Sequence, residues 1–123
     1  MKFWIKKEND ADPDVEWKGS YILTLNRDSG STIYSGLPSI WYHLGCQKMV
    51  PIYGDLFVIG LSVFALDKRI ARNLFSDSWT RQIEVSIPVL EMDKWHNCEA
   101  QWNKILSFLT GDEWKISFRQ AMT

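Results

Sequence analysis

Arg81-Gln-Ile-Glu-Val-Ser-Ile-Pro-Val89, read on through Asp93 to Gly111 and into Glu113-Trp-Lys-Ile-Ser-Phe-Arg-Gln120, decides the fold. Residues 81–89 alternate with period two. Ile83, Val85 and Ile87 share one face, and Gln82, Glu84 and Ser86 share the other, the pattern of a half-buried strand. Pro88 removes a ladder donor and helps to end that strand. Beyond it, Trp95, Cys98, Trp102, Ile105 or Leu106, and Leu109 recur at three- and four-residue intervals, which predicts an amphipathic helix with one apolar stripe. Asp93 suits its N-cap, and Gly111 stands where a left-handed residue would stop it. Alternation then resumes, with Trp114, Ile116 and Phe118 inward and Lys115, Ser117 and Arg119 outward. The unit is strand, helix, strand.

Upstream, Asp55 to about Lys68 is apolar nearly all round, and its length favours a buried helix over a strand. Asp55 is the expected N-cap. Lys2 to Lys6 reads as a short strand, with lysines that discourage pairing at an edge. Ser20 to Asn26 is a second strand. Asp28-Ser29-Gly30 supplies turn chemistry, and Ser31 to Tyr34 can return as a hairpin arm. Gly36 to Pro51 reads as loop with room for one short helix. Taken together, residues 1–123 form one α+β domain, with two main helices packed on one face of a mixed or antiparallel sheet.

Composition narrows the function. Lys plus Arg number 14 and Asp plus Glu 15, giving a formal charge of −1. Broad nucleic-acid or anionic-membrane binding needs a dense positive field that this chain lacks. The apolar run Leu56 to Leu66 is far short of the ~20 residues of a membrane span. The amino terminus has charges but no apolar run behind them, so it is not a signal peptide. Cys46 and Cys98 stand in unrelated contexts and fit free thiols of a reducing compartment. The expected location is cytoplasmic. Seven tryptophans are more than a core this small needs, so at least one is expected on a binding surface.

Catalytic motifs are absent: no glycine-rich phosphate loop and no GxSxG elbow occur. His43 and Cys46 lie close enough in sequence for a nucleophile dyad, but no acidic orienter is near, and packing explains them better. No complete catalytic apparatus is expected in this chain. The segment Asp67-Lys-Arg-Ile-Ala-Arg-Asn73 places Lys68, Arg69 and Arg72 directly after the buried helix. Cations there suit the helix dipole. Equally, with Arg81 beside them, they would form a basic corner able to bind a phosphate, a carboxylate or an acidic protein surface. Trp79 and Trp114 each stand beside charge at a strand edge, and are candidate aromatic contacts.

Three segments in this order resemble a known family: Leu61-Ser-Val-Phe-Ala-Leu-Asp-Lys-Arg-Ile-Ala-Arg72, Trp79-Thr-Arg-Gln-Ile-Glu-Val-Ser-Ile-Pro-Val89, and Leu106-Ser-Phe-Leu-Thr-Gly-Asp-Glu-Trp-Lys-Ile-Ser-Phe-Arg119. They resemble the region ahead of the catalytic domain in QueC-like (7-cyano-7-deazaguanine synthase-like) PP-loop proteins of bacterial anti-phage defence systems of the Qat type. The resemblance covers residues 61–119 and none of residues 1–50. In that family a Ser-Gly-Gly-x-Asp-Ser motif follows and holds ATP phosphates. Neither that motif nor the family's zinc-binding cysteine cluster occurs here, so no catalytic or metal residue carries over. The resemblance implies a non-catalytic accessory domain without a cofactor of its own. ATP and zinc would belong to a downstream PP-loop domain. That domain, or another protein of the defence operon, would be the partner. The alternative is a free-standing small interaction protein, such as an inhibitor or immunity factor.

Overall fold

The computed structural model describes residues 1–7, 11–26, 33–34, 51–71 and 80–121. Strands β1 (Lys2–Lys7), β2 (Tyr21–Asn26), β3 (Ile33–Tyr34), β4 (Gln82–Val89) and β5 (Glu113–Gln120) form one sheet in the order β3-β2-β1-β4-β5. Helix α1 (Pro51–Arg69) precedes β4. A short α2 (Met92–Trp95), a 3-10 turn (His96–Cys98) and α3 (Glu99–Thr110) lie between β4 and β5. The α+β content and the two main helices match the sequence reading. The direction of pairing does not, because every described ladder is parallel. The expected mixed or antiparallel sheet is corrected accordingly, and the expected hairpin arm pairs parallel to β2 through Leu25↔Ile33. Alternation fixes which residues share a face and says nothing of strand direction. Direction follows from the crossovers, and a helix between β4 and β5 returns the chain to run parallel.

Registers Phe3↔Val85 and Val85↔Ile116 place Phe3, Ile5, Ile83, Val85, Ile87, Val89, Trp114, Ile116 and Phe118 on one face. Val58, Ile59, Ala65 and Leu66 of α1 and Leu106 of α3 bury against them in one core. The opposite face carries Trp4, which is roofed by Trp17 in an edge-on contact at 6.2 Å. Parallel sheets usually read as unbroken apolar runs because helices cover both faces. Here the alternation survives because, among the described residues, helices cover only one.

Pro88 lies inside β4 rather than at its end. Glu84 donates its amide to the Met1 carbonyl, so the even-numbered residues of β4 face β1, and Pro88 has no amide to offer there. The β1–β4 pairing stops at Trp4↔Ser86. Beyond it Arg119 Nη1 donates to the Ser86 carbonyl at 2.9 Å, and Nη2 donates to the Ile5 carbonyl. The same guanidinium stacks 3.7 Å from the Trp4 ring centroid. An arginine thus bridges the gap that the proline opens.

Helix α3 lies along the free edge of β5. The outward amides of Trp114, Ile116 and Phe118 donate to Ser107 Oγ at 3.3 Å, Asn103 Oδ1 at 2.7 Å and Glu99 Oε2 at 2.7 Å. Glu99, Asn103 and Ser107 are spaced i, i+4, i+8 and form one polar line on α3. An exposed edge strand is a template for unwanted pairing, and these side chains occupy it. Asn103→Ala should cost about 1–2 kcal/mol, since it leaves the Ile116 amide without its acceptor. Urea unfolding would measure this, and an unchanged midpoint would mean that α3 does not sit along the edge.

Candidate interaction surface

Three faces of α3 do different work. Glu99, Asn103 and Ser107 hold β5, while Leu106 enters the core. The third face carries Ile105, Phe108 and Leu109, with Phe108 86% exposed and Leu109 71% exposed. The sequence assigns Leu109 to the inward stripe. The structure turns it outward because the polar line, not a wider apolar stripe, meets the sheet edge. Phe108, missed by the sequence reading, is the most exposed aromatic among the described residues. Its signal is the spacing of Ile105, Phe108 and Leu109 at i, i+3 and i+4, which marks a second apolar face beside Leu106. Gly111, at φ 75°, ends α3 as expected.

Helix α1 also carries more apolar surface than the core takes. Val58, Ile59, Ala65 and Leu66 point inward, while Tyr53, Leu56 and Phe64 are exposed on the other side. Contrary to expectation, Asp55 is no N-cap. The helix begins a turn earlier at Pro51, where a missing amide costs nothing. Asp55 is fully buried, and its carboxylate accepts from the Leu90 amide at 2.7 Å, the Glu91 amide at 2.8 Å and Trp95 Nε1 at 3.1 Å. Sheet order reverses between β1 and β4, and in open parallel sheets the strand ends at such a reversal commonly bind ligands. At the end of β4 those backbone amides are already taken by Asp55.

Of the expected basic corner, Lys68, Arg69 and Arg81 lie among the described residues. Arg81 is buried, and its five guanidinium donors turn inward. Nε and Nη2 donate to Asp112 Oδ2 at 3.0 and 2.6 Å. Nη2 also donates to Asp67 Oδ1 at 2.6 Å, and Nη1 donates to the carbonyls of Asp67 and Ile70 at 3.1 and 3.0 Å. Burial alone would lower its pKa; the hydrogen bonds and charges of Asp112 and Asp67 outweigh it and raise the pKa above the ordinary value. A raised arginine pKa contributes stability that is present below the unfolded-state value, so this contribution is constant across neutral pH. Arg81 is therefore internal and presents no group to a ligand. Lys68 and Arg69 are exposed at the end of α1, with Lys68 Nζ 5.6 Å from the Phe64 ring centroid and Arg69 Nη1 donating to the Ala65 carbonyl at 3.4 Å. Arg72 lies outside the described residues.

Trp114, a candidate aromatic contact, is buried on the helix-covered face and donates Nε1 to Thr110 Oγ1 at 2.9 Å. It closes the core. Trp79, His43 and Cys46 lie outside the described residues. Trp4 and Trp17 are buried, and Trp95 and Trp102 pack partly buried against the core, so none of the described tryptophans stands on an open surface. Cys98, expected in the core, is half-buried, with Sγ 3.6 Å from the Lys94 carbonyl. Among the described residues no cluster of His, Cys, Asp or Glu is arranged to hold a metal ion, and no helix is long and apolar enough to cross a membrane. No protein-family model, no curated protein and no solved structure matches this chain.

Proposed function

We propose that this chain is a non-catalytic protein-interaction domain that presents the Ile105–Phe108–Leu109 ridge of α3 to a protein partner. The exposure of that ridge carries the reading, with Phe108 at 86%. Apolar anchors on a helix face are a recurring way to bind a groove, and a few such residues supply most of the affinity. The bonds from α3 to β5 fix the ridge in place, so little order is lost on binding. On the resemblance of residues 61–119, the partner is the PP-loop ATP-using domain of a QueC-like anti-phage defence protein, or another protein of the same operon, and the setting is cytoplasmic. ATP and zinc would be the partner's. A free-standing inhibitor or immunity factor is the second reading, favoured by the sheet edge at β5 being closed from within the chain.

The test has two arms. The native gene is sequenced beyond the Thr123 codon, and the PP-loop domain encoded there or in the operon is titrated with this chain. Phe108→Asp should weaken binding by about tenfold or more with melting unchanged. Equal affinity for both chains would overturn the ridge as the docking surface. A frame or operon without a PP-loop protein would overturn the QueC-like partner and leave the second reading.

A further inference from the structure

The geometry points to α1 as a self-association helix: two copies of this chain pair antiparallel through their α1 helices, crossing at Gly60. This stripe lies on a different helix from the α3 ridge. Tyr53, Leu56, Gly60 and Phe64 follow one another at intervals of three, four and four, and all four are exposed. They form a second apolar stripe, opposite the one that enters the core. No charged residue stands between Asp55 and Asp67, so this stripe lacks the polar face of an ordinary surface helix. A helix apolar on both sides is normally covered on both sides.

Gly60 sits mid-helix, where glycine weakens a helix relative to alanine. Nothing among the described residues requires it, since a Cβ built there meets none of their atoms within 4 Å. It does leave a notch at the middle of the stripe, where a second helix can approach closely.

The stripe is complementary to itself. In an antiparallel crossing at Gly60, a residue before the glycine faces the residue equally far after it. Leu56 meets Phe64 of the second copy, and Phe64 meets its Leu56. Tyr53 falls opposite the turn that holds Asp67 and Lys68. Lys68 Nζ already lies over the Phe64 ring at 5.6 Å, so Tyr53 of the other copy brings a second ring to a cation already placed at the stripe's end. The arrangement is isologous, with the same patch on both sides and closed two-fold symmetry. A formal charge of −1 per chain offers little repulsion between copies.

Sedimentation equilibrium of the full chain, wild type against Gly60→Trp, tests the pairing. A concentration-dependent dimer is expected for the wild type. Gly60→Trp should raise the dissociation constant by about a hundredfold with an unchanged far-UV spectrum. In a Cys46→Ser, Cys98→Ser background, Gly60→Cys should oxidise to a covalent dimer, because the two positions meet on the axis. Tyr53→Cys alone should not, and Leu56→Cys mixed with Phe64→Cys should give the mixed dimer. If the serine background does not fold, the Gly60→Trp comparison still decides. A wild-type monomer at every concentration overturns the proposal, as does a dimer indifferent to Gly60→Trp. Binding of α1 by some other protein's helix while the wild type stays monomeric overturns it too. Phe108→Asp should leave the dimer intact, so failure here and failure of the α3 ridge are read separately.

Discussion

Arg81→Ala should lower the unfolding free energy by about 3–5 kcal/mol, the cost of breaking a buried ion pair from one side. The Asp112 side chain is fully buried and Arg81 stands against it by three bonds: the backbone amide to Oδ1 at 2.9 Å, and Nε and Nη2 to Oδ2. Removing the guanidinium leaves that carboxylate in the interior without its counter-ion. It also strips donors from the Asp67 and Ile70 carbonyls at the end of α1. One side chain thus ties the starts of β4 and β5 to the end of α1. For a domain of this size the melting temperature should fall by roughly 10–20 °C. Asp67→Asn is the control. The Asp67 side chain is 45% exposed, and a screened pair of that kind contributes under about 1 kcal/mol. Arg81→Lys should resemble the alanine variant more than the wild type, since an ammonium cannot reproduce a five-donor fork. A loss below about 1 kcal/mol for Arg81→Ala would mean that this cluster does not form.

That cluster shows where reading the sequence stops. Arg81 stands one residue ahead of β4, and Asp112 one residue ahead of β5. The register Gln82↔Glu113 brings them side by side. Each is visible as a charge next to a predicted strand, but their meeting depends on strand adjacency and direction, which periodicity does not carry. The basic-corner reading joins Arg81 in space to Lys68, Arg69 and Arg72, while the partners its guanidinium finds are the carboxylates of Asp67 and Asp112. The strands at 82–89 and 113–120, the helix over 55–68 and the stop at Gly111 were legible because each rests on a local signal. The outward turn of Leu109 and the polar line Glu99, Asn103, Ser107 were not, because a helix beside a sheet edge needs hydrogen-bonding residues where a helix above a sheet needs apolar ones. The α3 ridge was hidden for the same reason.

Asp55→Ala should cost about 3–4 kcal/mol, although the sequence reads Asp55 as a helix cap of lesser worth. Its carboxylate is the acceptor for three donors 35 to 40 residues away: the Leu90 and Glu91 amides and Trp95 Nε1. These donors lie in the turn where the chain leaves β4 and enters α2. Each left unsatisfied in a part-buried site costs about 1–3 kcal/mol, with some recovery by water at the less buried ones. Asp55→Asn should lose less. Its single amide oxygen can still serve one or two of the donors, but its NH2 group must face another donor. Chemical denaturation followed by tryptophan fluorescence measures the loss. Hydrogen exchange at Leu90 and Glu91 locates it, with faster exchange at those two amides expected ahead of any change in β5. If Asp55→Ala melts like the wild type, the turn is held by something other than this carboxylate. If it melts early but the Leu90 and Glu91 amides stay protected, the loss comes from packing around α1 instead. The consequence reaches the surface, because α2 leads through residues 96–98 into α3, which carries the ridge. A loosened turn at 90–91 should therefore weaken partner binding at Phe108 under conditions where the core is still folded.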